Sequence, residues 1–169
     1  MGARRVSFTA ISAAGALAFL YMGVLFPMMS LSIAALAGLF TAVAVIEGGY
    51  AYGAFCFVTA GLLGLLLFPL GVTILYAAFF GGYPLIKSFA ERRQGFFLPW
   101  LIKFAAFFAA LTLLLTVLGR FLPDIGPFLD WAWPLIYIAG ALAFAAYDFG
   151  MGKLIAFYLD RVYKHRNRW

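Results

Sequence analysis

The sequence predicts an all-α, polytopic membrane protein: a single domain over residues 1–169, folded as a six-transmembrane-helix bundle with both termini cytoplasmic. Three observations carry this reading. The chain is 66% hydrophobic and 11% charged, with a mean hydropathy of +1.03, whereas a soluble domain is about a quarter charged. Two long runs, 6–46 and 48–86, contain no Asp, Glu, Lys or Arg. Neither run alternates at period two over ten-residue segments, so helices are the way its backbone can be satisfied in lipid.

Each charge-free run is about 40 residues long and as one helix would reach roughly 60 Å, twice the hydrocarbon thickness. Each must therefore fold back, and Pro27 and Pro69 sit mid-run where a turn is needed. This places four spans at about 6–26, 28–46, 50–68 and 71–88. A fifth, 99–119, is apolar apart from Lys103, Thr112 and Thr116. A sixth, 134–154, carries Tyr137, Tyr147 and Asp148 ahead of Lys153. Arg4-Arg5 before the first apolar stretch resembles a secretory or twin-arginine signal. The stretch is too long for a signal core and leads straight into another span, so it reads as a retained helix. Val6 occupies the position where myristoylation wants Ser or Thr.

Six spans put both ends on one side, and the basic residues play no part in placing them. The terminal side carries eleven: Arg4, Arg5, Lys87, Arg92, Arg93, Lys103, Lys153, Arg161, Lys164, Arg166 and Arg168. The opposite side carries Arg120 alone. That asymmetry makes the terminal side cytoplasmic and predicts a multi-pass protein of the cell membrane. The net charge of +6 then reflects topology and contact with anionic membrane lipid. Nucleic acid is excluded as a partner, because the cations are scattered over three membrane-flanking segments.

The outer turns all pair proline with an aromatic: Phe26-Pro27, Phe68-Pro69 and Phe121-Leu122-Pro123. The 42-residue spacing of the first two hints at a duplicated hairpin, although proline and phenylalanine are common at such ends. Residues 120–134 form the longest outer loop and hold Arg120, Asp124, Asp130, Trp131 and Trp133 among three prolines. Two readings stand for it: an interfacial aromatic belt with solvated acids, or a loop that contacts a ligand.

The residues of catalysis are scarce. His165 is the one histidine and lies in the basic tail; Cys56 is the one cysteine, so it forms no internal disulfide and reads as a packing residue. There is no zinc-protease motif and no nucleophile elbow, and the chain reads as neither an enzyme nor a holder of a metal or cofactor. Within the spans the acids are Glu47 and Asp148, with Lys87, Lys103 and Lys153 at similar depth. Ionisable groups in a span are functional candidates, but these can equally pin helix ends as ion pairs. Asp148 is predicted to lie against Lys87 in preference to Lys103, or against Lys153 of its own helix. In the fourth span, Gly81-Gly82-Tyr83-Pro84 predicts a kink, read either as packing or as the broken helix of a transporter site.

The first span holds the most specific pattern. Ala10, Ala14 and Ala18 recur at four-residue spacing, flanked by Ala13 and Gly15, and such a stripe admits a second helix at close range. With this stripe, the short basic N-terminus, six spans, and a Tyr-Asp followed by a basic tail in the last of them, the chain resembles the substrate-binding (S) components of energy-coupling factor transporters. The resemblance implies capture of a small-molecule ligand at the outer face, and partnership with a transmembrane coupling protein and ATPase subunits. It also implies that Ala10, Ala14 and Ala18 contact that coupling protein.

The chain departs from the family in its polar inventory. Its one Asn and one Gln, Asn167 and Gln94, lie on the cytoplasmic side. A ligand must be met instead by outer groups, chiefly Tyr76, Arg120, Asp124, Asp130, Trp131, Trp133 and Tyr137. A vitamin with many hydrogen-bonding groups would leave several unmet, at about 1–3 kcal/mol each. The ligand class this leaves is flat and largely apolar, stacked on aromatics, or small and cationic on Asp124 or Asp130. The size and helix count also resemble those of bacterial rod-shape-determining membrane proteins of the D type. That likeness implies a scaffold that transports nothing.

Overall fold

The computed structural model describes the backbone of residues 2–91, 97–121 and 126–163, and the side chains of these except 117–131 and 162–163. Among the described residues all regular structure is helical: α1 (Gly2–Leu25), α2 (Ser30–Gly48), α3 (Tyr50–Leu67), α4 (Leu70–Leu75), α5 (Tyr83–Ala90), α6 (Phe97–Phe121) and α7 (Gly126–Tyr158). A 3₁₀ turn, Pro27–Met29, precedes α2; π turns follow α4 at Tyr76–Phe80 and α7 at Leu159–Tyr163. Among the described residues six helical segments are long and apolar enough to cross a membrane, with α4, its π turn and α5 together making the fourth. The chain divides into two compact units, Met1–Ala106 and Phe107–Trp169.

Both Phe-Pro corners fall where the prolines predict. Pro27 opens the 3₁₀ turn, where its missing N–H costs nothing. Phe68 is extended at φ −124°, ψ 160°, as the residue before a proline is pressed to be. The turn between α2 and α3 has a different origin. Gly49 has φ +97° and ψ 178°, a conformation essentially reserved for glycine. Its N–H donates to the Val45 carbonyl at 2.9 Å, and the helices leave so close together that a Cβ on Gly53 would strike Val45.

Small residues make the seams of the first unit. Helix α3 turns Gly53, Cys56, Ala60, Gly61 and Gly64 inward, and α2 turns in Ala34, Ala37, Gly38, Ala42 and Ala44. Lipid tails are as apolar as a leucine, so helices there gain by close packing. Ala16, Leu20, Ala34, Ala37, Ala60, Val72 and Tyr76 form one buried cluster, with Phe19, Phe40 and Phe57 packed around it. Cys56 is buried with Ala13 and Ala44 in a second, the packing role read from sequence.

Two elements depart from expectation. The fourth span is irregular as predicted, but the irregularity begins one turn earlier, at Tyr76. The loop expected over 120–134 is mostly helix, since α6 runs on to Phe121 and α7 starts at Gly126. Pro127 falls in the first turn of α7, where proline is well tolerated. Pro134 lies inside the helix and costs it a single backbone bond, the kind of loss membrane helices accommodate.

Candidate functional site

In the first unit, helix α1 shows two contrasting faces. Thr9, Ser12, Ala13, Ala16, Leu20 and Gly23 are buried, at the three- and four-residue steps of one helical face. Ala10, Ala14 and Ala18 are all exposed, together with Ile11, Tyr21, Met22 and Leu25. The predicted docking stripe therefore faces away from its own core.

Tyr76, expected on a ligand-facing surface, is instead wholly buried. It sits at the start of the π turn, with its ring near Phe57 at 6.1 Å between centroids. Its hydroxyl shares a 3.0 Å hydrogen bond with the Thr41 hydroxyl of α2. Thr73 is likewise sealed in, donating to the Gly64 carbonyl at 3.2 Å. In a helix apolar on every side, periodicity does not mark which face is inward, which is why Tyr76 reads as outer in the sequence.

The charges at the end of α5 converge on a residue that the sequence reading passes over. Lys87 Nζ lies 3.1 Å and Lys103 Nζ 3.0 Å from the same oxygen, Oε1 of Glu91. The lysines are 6% and 5% exposed, while the Glu91 side chain is 52% exposed. Two buried ammonium groups thus share one carboxylate oxygen at the edge of the unit. The signal is present in the sequence as the four-residue spacing of Lys87 and Glu91, but Glu91 follows the predicted span and there resembles part of a loop. Glu47, at the end of α2, is partly buried.

In the second unit, α6 and α7 bring two of the predicted ligand residues together. Tyr137 stacks on Phe108, with centroids 5.8 Å apart and planes at 17°. Trp133, one turn away on α7, meets Tyr137 edge-on at 6.1 Å. The Tyr137 hydroxyl pairs with that of Thr112 at 2.5 Å. Trp133 stays exposed, so the group forms an aromatic shelf with one hydroxyl pair at its back. A shelf of this kind stacks flat apolar molecules. Deeper on the same helices, Phe107 and Phe144 stack at 4.6 Å, close against Gly140.

Asp148 is buried in this unit. Lys153 places its Nζ 5.3 Å from the ring centroid of Phe149, an attraction of the cation–π kind. Of the remaining predicted ligand residues, Asp124 lies outside the described residues, as do the side chains of Arg120, Asp130 and Trp131. Among the described residues no three of His, Cys, Asp and Glu come together as a metal site. Comparison with family models, with curated proteins and with solved structures gives no match to this chain.

Proposed function

We propose that this chain is the substrate-capture subunit of an importer of the energy-coupling factor type, set in the cell membrane with both termini cytoplasmic. It binds a small, flat, largely apolar solute at its outer face and docks through α1 to a transmembrane coupling protein that works with ATPase subunits. The observation that carries this reading is the exposure of Ala10, Ala14 and Ala18 along one line of α1. The core is served by a separate set of small residues on the opposite face. A stripe of small residues that its own unit does not use suits the close approach of another helix. The shelf of Phe108, Trp133 and Tyr137 supports the ligand class.

The test is co-expression with a coupling protein and its ATPases. Ala14→Trp leaves the isolated protein folded, with unchanged melting temperature and yield, and abolishes recovery of the complex. A fall in melting temperature and yield instead would mean overpacking and defeat the docking role. One observation favours the competing scaffold reading, a protein resembling rod-shape-determining protein D. Thr73 and Tyr76 are consumed in the core, which reduces the polar groups left for a solute. Recovery of morphogenetic partners in place of a coupling protein would decide for the scaffold.

A further inference from the structure

We infer that α5 is a hinged segment of the fourth span, turning about Gly81–Gly82 and held closed by the clasp of Glu91 on Lys103. The break above it is unusually complete. The Gly81 N–H reaches five residues back to the Tyr76 carbonyl at 2.7 Å, and the Leu85 N–H reaches three back to Gly82 at 3.1 Å. The Ile86 N–H donates to the same Gly82 carbonyl at 3.2 Å, so the π turn gives way to one shared acceptor before the α5 ladder begins, and Pro84 between them has no N–H to give. A bend here meets little of the regular ladder that stiffens a helix. The upper side of the break is anchored. The Tyr76 hydroxyl is tied to Thr41, and a Cβ on Gly81 would come 2.6 Å from the Tyr76 ring. Motion is therefore left to the lower side.

The lower side ends in the clasp. Glu91 caps the C-terminal end of α5, where a carboxylate opposes the helix dipole. It also follows Lys87 by four residues, the weaker order for such a pair. Local rules thus work against a carboxylate here; Lys87 of the same helix shares it at 3.1 Å, and the contact that ties it to another helix is Lys103 of α6, 3.0 Å away. Helix α5 also buries Tyr83, Leu85 and Ala90 and packs on α2 and α3. Those contacts hold α5 by close packing; the charge contact to Lys103 adds a tie between its last turn and α6 of a kind that lipid tails do not replace. That ionic contact fastens the end of the segment farthest from the break.

Hydrogen–deuterium exchange on the full-length protein in nanodiscs tests this. In the wild type, amides of residues 85–90 exchange at least tenfold faster than those of 54–64 in α3. Glu91→Gln and Lys103→Met each raise exchange across 85–90 by a further tenfold and leave 54–64 unchanged. Exchange in 85–90 as slow as in α3 in the wild type overturns the hinge without any variant. Variants that leave 85–90 unchanged, or raise exchange evenly through α1, α2 and α3, overturn the clasp.

Discussion

The hydroxyls of Tyr76 and Thr41 lie 3.0 Å apart, and both residues are fully buried. This one bond joins α2 to the π turn in the fourth span, the point at which that span loses its regular backbone. A double-mutant cycle of Tyr76→Phe and Thr41→Val should give a coupling energy of about 0.6 kcal/mol, with about 1.7 as an upper value for such bonds in membranes. Reversible unfolding in mixed micelles measures it. Additive losses would show that the two hydroxyls do not act together.

Gly81 and its neighbour Gly82 should respond differently to the same change. A Cβ at Gly81 falls 2.6 Å from Tyr76 and 2.8 Å from Phe57, while one at Gly82 comes no closer than 3.7 Å to Phe57. Gly81→Ala is expected to destabilise by about 1–3 kcal/mol, the usual range for overpacking. Gly82→Ala should fall within about 0.5 kcal/mol of wild type. Melting temperatures of the two single variants check the contrast.

Gly49 and Gly61 form a second pair of contrasts, set by backbone in place of space. At φ +97° an alanine is strained, and Gly49→Ala should cost about 1–3 kcal/mol. Gly61 is inside α3, and a methyl group added there would meet nothing within 4 Å. Gly61→Ala should stabilise by about 0.5–1 kcal/mol through helix propensity. Denaturant titrations of both variants would show the opposite signs.

The topology is open to chemical labelling. With Cys56 replaced, a cysteine at position 124 should react with an impermeant maleimide on intact cells, and one at position 3 only after lysis. Labelling in the reverse order would place the termini outside.

The first half of the fold is legible in the sequence because its signals are local. Charge-free runs set the number of spans, and Pro27 and Pro69 each fix a corner through their own geometry and that of Phe26 or Phe68. The orientation of the α1 stripe is not legible, because Ala13 and Ala14 are chemically alike and only neighbouring helices distinguish them. Tyr76 is misplaced for a related reason: in an all-apolar span, a lone hydroxyl reads equally as ligand contact or core bond until Thr41 is found opposite. Glu91 escapes notice when depth is judged from span ends, because it stays exposed just past α5 while the two lysines that meet it are buried. The start of α7 is obscured because three prolines close together resemble a loop, while Pro127 and Pro134 are tolerated at a first turn and inside a membrane helix.

The lengths of α3 and α7 have a mechanical consequence. With 18 residues, α3 is about 27 Å long, slightly short for a hydrocarbon layer of about 30 Å. With 33 residues, α7 is about 50 Å long. Even at a tilt of about 40°, the steep end for such helices, it rises about 38 Å along the membrane normal. At least one end of α7 therefore stands among the headgroups or beyond them. A thicker bilayer stretches α3, whereas α7 has helix to spare at a surface and meets the same change by drawing more of itself in. Acyl-chain length is thus a variable felt by the short helix and absorbed by the long one.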